Sequence, residues 1–316
     1  MKKAPIFSRP LLRRKNRLIN IGYDITVRVF APTSVIYLLR VHPSRSGDLV
    51  LPENFRIQPE LPVEEYWDKF GNLCGRLQVQ AGDVRFLNEA IIRDPGELDA
   101  YAPEAAQHDV QELPVETLTF LLPSRYCEVD SELLDFAWKT FGSTTTGWPR
   151  VQAICDFVHR HLRFDYEQAR ADRTALDAFR ERVGVCRDFM HLAITLCRCM
   201  NIPARYATGY LGDIGIPPAP YPMDFNAWFE VYIGDHWHTF DARHNCRRIG
   251  RVLIARGRDA ADVPITMTFG KSCLPKFSVT TEELDPSSTE ALADFNENIA
   301  FPAKDQKTFF PVRVAN

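Results

Sequence analysis

Between residues 21 and 29 apolar and polar positions alternate, with Ile21, Tyr23, Ile25, Val27 and Val29 separated by Gly22, Asp24, Thr26 and Arg28. A period of two belongs to a strand with one buried face. Val35, Tyr37, Leu39 and Val41 continue it. After a loop marked by Pro52, Pro59 and Pro62, the stretches 73–79 and 84–92 flank a Gly82-Asp83 turn. Short alternating strands divided by turn residues predict an antiparallel β-sandwich over residues 20–93. Pro95, Pro103 and Pro114 mark 94–123 as a linker or crossover.

The period then changes. Asp130 or Ser131 can cap a helix running to Phe141 and stopping at Gly142. Pro149 suits a first helical position, and Val151, Ile154, Val158 and Leu162 recur at helical spacing, so 149–163 is expected to be a packed helix. Thr174, with Asp177 three residues on, forms a capping box for a short helix expected to end at Gly184. Phe189, Met190, Leu192, Ala193, Ile194, Leu196, Cys197 and Met200 make the next segment apolar nearly all round, as in a helix buried on most sides. Ile202-Pro203 ends it. A strand follows at 205–211, then a loop at 212–224 holding Pro217, Pro218, Pro220 and Pro222, which is expected to roof a cleft. Strands 225–233 and 236–243 form a hairpin across Gly234-Asp235. One more strand is expected near 264–269, and 276–316 reads as a polar C-terminal extension. The whole is an α+β fold: a β domain, then a core (124–275) with a buried helix on an antiparallel sheet.

A chain of 316 residues allows two domains, and 45% hydrophobic content is enough for both cores. The net charge of −3 argues against nucleic acid or an anionic membrane as partner. No apolar run is long enough to span a membrane. Lys2, Lys3, Arg9, Arg13, Arg14, Lys15 and Arg17, with no acid among them, make residues 1–19 a basic arm, expected to be flexible. The eight cysteines include no CxxC pair and suit free thiols in a reducing compartment, so a cytoplasmic location is expected. Cys197 and Cys199, like His159 and His161, stand two apart on helices and diverge. Neither a metal nor a cofactor is expected.

Cys186 falls at the first turn of the buried helix, where unpaired N–H groups and the helix dipole favour a thiolate. A thiol nucleophile needs a base and a group to orient that base. On the hairpin, Trp228 is expected opposite Asp241 and Asn226 opposite Arg243, which makes Asn226 and Asp241 diagonal neighbours roughly 7–8 Å apart.

Gly-Val-Cys-Arg-Asp at 184–188, Asn-Ala-Trp-Phe-Glu-Val at 226–231 and Trp-His-Thr-Phe-Asp at 237–241 resemble the transglutaminase-like superfamily, with its papain-like cysteine fold. Taken with the N-terminal strands, the chain resembles the bacterial two-domain branch over residues 20–275. The resemblance implies Cys186 as nucleophile and Asp241 as the carboxylate that orients the base, with Asp188 and Trp228 in the cleft. At 226 it implies a histidine as general base, and this chain has Asn226, whose amide cannot accept a proton. His236, His238 and His244 have the wrong strand parity, and His191 points away on the helix. His244 is the least unsuitable substitute, because it can lie beyond the regular strand.

Three readings stay open at this point. One is a cysteine amidase, peptidase or acyltransferase whose base is His244 or a group on the substrate. Another is a silent relative that binds a peptide or amide ligand or a protein partner. The third is a base removed by design. An enzyme of this kind would take a peptide or protein amide, with water or an amine as acceptor.

Overall fold

The computed structural model describes residues 17–218 and 222–284. The basic arm up to residue 16, three residues of the Pro-rich loop and the chain beyond 284 lie outside the described residues.

Seven strands come first: β1 (Arg17–Val29), β2 (Thr33–Tyr37), β3 (Leu49–Leu51), β4 (Arg56–Gln58), β5 (Val63–Trp67), β6 (Leu73–Val79) and β7 (Gly82–Asp94). Helices α1 (Leu133–Phe141) and α2 (Trp148–His161) follow. Next come β8 (Arg163–Phe164), α3 (Ala175–Glu181), β9 (Val183–Gly184) and α4 (Cys186–Cys199). The chain then forms β10 (Ala204–Leu211), β11 (Asn226–Ile233), β12 (His236–Phe240), β13 (Arg251–Gly257), β14 (Thr266–Thr268) and β15 (Ser272–Leu284).

The expected N-terminal strands form two antiparallel sheets. One has the order β15-β1-β7-β3, with β4 also on β7, and the other is β14-β2-β6-β5. Ile19, Ile21, Tyr23, Ile25 and Val27 of β1 are buried at alternate positions and join one apolar core with Val35, Tyr37, Leu77 and Val79. The expected separate extension from 276 needs correction. β15 pairs along β1 from Leu18↔Leu284 to Val29↔Ser272, and β14 pairs with β2, so the end of the described chain completes the N-terminal sheets. A register shift between Thr26 and Arg28 breaks the alternation of β15 and hides the strand in the sequence.

The second half is a four-stranded sheet, β12-β11-β10-β13, with α4 on one face. Ala227, Phe229, Val231 and Ile233 share a core with Met190, Ala193, Ile194 and Cys197. Trp228 lies on the other face with Ala207 and Leu253. Helices α1, α2 and α3 surround α4, so this helix is buried on most sides, as its sequence requires. At its last turn Arg198 donates to the main-chain carbonyls of Ala204, Leu122 and Arg258, which joins the helix end to the crossover.

Candidate functional site

The approach to Cys186 is built by local signals. Thr174 and Asp177 form the reciprocal capping box of α3. The left-handed stop is Arg182 (φ 56°) and not Gly184, as the sequence suggested. Gly184 lies in β9, parallel to β8, and its role is spatial: a Cβ there would come 2.6 Å from Asp188 Cβ. Asp188 is not a cleft residue. It is fully buried, accepts from the Val185 amide at 2.9 Å and from Arg173 Nη1 at 3.0 Å, and anchors the start of α4.

Cys186 is the first residue of α4 and partly exposed. Its surroundings desolvate the thiol and push it up to about 11, while the Arg243 charge and the Ala227 N–H pull it down and the Asp224 charge pushes it up. This desolvation opposes the lowering expected from the helix N-terminus.

Asn226 opens β11 close by. Its Nδ2 donates to the carbonyls of Asp224 (3.1 Å) and Leu211 (3.3 Å), and its Oδ1 accepts from Arg243 Nη1 at 3.2 Å. The Arg243 guanidinium lies 3.7 Å above the Phe164 ring. Tyr166, Asp224, Asn226, Arg243 and His244 line one small cavity of about 40 Å³. Burial pushes the Asp224 carboxyl up to about 7, against the Phe225 amide and the Arg243 charge.

Asp241 is buried just past the end of β12. Its Oδ1 accepts from the amides of Arg243 (3.1 Å) and His244 (3.0 Å). Its Oδ2 accepts from His244 Nδ1 (2.8 Å) and Arg251 Nη2 (3.1 Å). Burial alone would push this carboxyl up. The His244 hydrogen bond and the Arg251 charge outweigh that and hold it well below the usual carboxylate range. Arg251 also pairs with Asp99 at 3.0 Å, tying the site to the crossover. Among the described residues, no group of three or more His, Cys, Asp or Glu side chains is placed to hold a metal ion.

The model of the transglutaminase-like superfamily matches residues 135–242, the stretch that carries Cys186, Asn226 and Asp241. A solved structure of a candidate cysteine protease from Cytophaga hutchinsonii is 32% identical. It aligns over 86% of this chain and 92% of its own, with a TM-score of 0.75. The chain belongs to the transglutaminase-like superfamily. It is also 31% identical over 93 residues to the uncharacterized protein ML0607 of Mycobacterium leprae, and 30% identical over 130 residues to Rv2569c of Mycobacterium tuberculosis. The matches cover 28% and 37% of this chain, and the chain spans only 33% and 41% of those relatives' lengths.

The hairpin register runs as read, from Ile233↔His236 to Phe229↔Phe240. β12 then ends, and the Asp241 side chain closes a turn that swings His244 back to it, so the parity argument does not govern His244. Trp228 is almost fully buried on the sheet face away from α4. It lies 5.2 Å from the Arg251 guanidinium, on the wall of a separate cavity of about 630 Å³ between the two halves, and so is not part of the Cys186 cleft. His191 is buried in the core, its Nε2 accepting from the Ala260 amide. Tyr166, in a single 3₁₀ turn, and Asp224, in the Pro-rich loop, were missed because neither segment carries a periodic pattern. Arg243 was placed opposite Asn226 by register but given no task.

Proposed function

We propose that this chain is a cysteine-dependent hydrolase or acyltransferase acting on carboxamide or peptide bonds. The observation that supports this most is the gathering of groups at one helix start. Cys186 opens α4 with the Ala227 N–H directed at its sulfur, beside a cavity shared by Asn226, Arg243, Asp224 and the Asp241-tied His244. In this reading Cys186 sulfur attacks the carbonyl carbon, ammonia or an amine leaves, and the acyl-enzyme passes to water or to a second amine. Backbone N–H groups at the start of α4 stabilise the oxyanion. Asp241 holds His244 and the turn carrying Arg243. The eight free cysteines fit a reducing, cytoplasmic location, and no helix among the described residues is long and apolar enough to cross a membrane.

A second reading, a silent protein that holds a peptide or amide in the same cleft, is favoured by one observation: position 226 carries an amide, which takes no proton. The two separate in one experiment. Glutamine-containing peptides are incubated with the full chain and with Cys186→Ala, and ammonia release and peptide cleavage are followed. Turnover lost in Cys186→Ala supports the enzyme. Binding without turnover, unaltered by the substitution, supports the silent reading.

A further inference from the structure

The cavity of about 630 Å³ between the two halves is large enough for a small organic ligand, and the acyl-transfer reading makes no use of it. Its walls come from the end of β7, the crossover after it and the outer face of the second sheet. Trp228, Leu253, Leu98 and Pro95 give it an apolar part, and arginines and carboxylates make most of the rest. The carboxylates are engaged. Asp48 accepts from Arg45 Nε at 2.6 Å, and Asp99 from Arg251 Nε at 3.0 Å and the Arg248 amide at 2.9 Å. Glu230 accepts from Arg205 Nε at 2.6 Å and Arg256 Nε at 2.9 Å, and buried Asp94 from the Gly96 amide at 2.8 Å. Glu97 is not free either. The arginines keep capacity to spare. Among the described residues that line the cavity, the buried side-chain nitrogen and oxygen atoms without a hydrogen-bond partner are Arg251 Nη1 and Arg248 Nε, both donors. Their side chains are 8% and 2% exposed. Arg251 gives its other nitrogens to Asp99 and Asp241, and Arg248 gives Nη2 to the Gly212 carbonyl at 2.8 Å. Leaving a buried guanidinium N–H unmatched is costly, so two such donors on one cavity mark a place for an acceptor. Burial and the Arg251 charge both hold Arg248 below its ordinary value, a strain that an anion beside the two groups relieves. Arg93, exposed on the same wall, adds a third positive charge.

We propose that this cavity binds an organic anion, its carboxylate or phosphate head held by Arg251 and Arg248 and its apolar body resting against Leu98, Leu253 and Trp228. The site goes beyond the acyl-transfer reading and does not depend on it. Guanidinium groups present planar forks that match either kind of oxyanion. A bare inorganic ion would leave most of the volume and the apolar wall without a partner, so the ligand carries a body as well as a head. A cation is disfavoured, because it would have to take a carboxylate away from an arginine that already holds it. Both unmatched nitrogens are buried, so the head is met by a turn of these side chains toward the cavity that both line. Arg251 Nη2 also donates at 3.1 Å to Asp241, the carboxylate that holds His244, so the ligand site and that pair share one guanidinium.

The test is isothermal titration calorimetry on the full chain at fixed ionic strength. The probes are 4-phenylbutyrate and phenyl phosphate, with neutral 4-phenylbutyramide and inorganic phosphate as controls. One of the two organic anions should bind at a single site, and whichever binds more tightly tells a carboxylate head from a phosphate head. The neutral amide should bind at least about tenfold more weakly than the carboxylate, the loss of one hydrogen bond to a charged group. No binding of either organic anion, or an amide that binds as tightly as they do, overturns the proposal. Inorganic phosphate binding as tightly as phenyl phosphate removes the apolar body from it. Arg248→Met should weaken the bound anion by about tenfold. Ala100→Trp, at an exposed position on the cavity wall, should weaken it at least as much by filling the space, and it carries the test if Arg248→Met melts early. An affinity unchanged in either folded variant places the anion elsewhere and overturns the proposal.

Discussion

Replacing Asp188 by alanine should destabilise the nucleophile helix. Asp188 is fully buried, and its partner Arg173 has a side chain only 2% exposed. Removing one member of a buried pair typically costs about 3–5 kcal/mol, because the other charge stays behind without its partner. Arg173 retains Glu181 at 2.9 Å and the Gln168 carbonyl at 2.8 Å, so the lower end, about 3 kcal/mol, applies. The Val185 amide also loses its cap, adding about 1 kcal/mol. The expected loss is therefore about 4 kcal/mol, to be read from denaturant unfolding of the full chain by tryptophan fluorescence. The double change Asp188→Leu with Arg173→Met should recover most of it, since no buried charge is then left unpaired. A loss below about 1 kcal/mol, or a double variant as damaged as the single one, would refute this account of how the start of α4 is held.

Arg182→Gly should stabilise the chain by about 1 kcal/mol, because Arg182 holds a left-handed backbone (φ 56°) that glycine adopts without strain; a thermal melt checks it. Arg251→Met should cost about 3 kcal/mol in denaturant unfolding, since it leaves buried Asp241 and half-buried Asp99 without their shared cation. The same variant should be more acid-sensitive. The folded-state value of Asp241 is depressed, so its contribution is present above the ordinary carboxylate range and is lost only as pH falls through that depressed value. Without Arg251 the folded value rises, and in an acid titration followed by circular dichroism the loss should begin at higher pH.

Local signals were the legible ones. The capping box at Thr174 and Asp177, the apolar girth of α4 and the Gly234-Asp235 hairpin each depend on a few adjacent residues, and each reads correctly. The three sequence blocks around Cys186, Asn226 and Asp241 pointed to the right superfamily. What failed needed knowledge of distant partners. β13 is a continuous apolar run, Val252-Leu253-Ile254-Ala255, with no alternation, because both its faces are buried. β15 alternates imperfectly around a bulge, and only β1 explains it. Gly184 looked like a helix stop when its missing side chain makes room for Asp188. Asp224 lies in the Pro-rich loop, and only the completed fold puts it on one cavity wall with Asn226 and Arg243.

The account stands on Cys186 being the atom that carries the acyl group. The most direct measurement is to mix the full chain with an activated acyl ester, quench in acid, and locate the added mass by peptide mapping. The account predicts one acyl group on the peptide containing Cys186, absent from Cys186→Ala. Acylation at another residue, or equal turnover by wild type and Cys186→Ala, would contradict it.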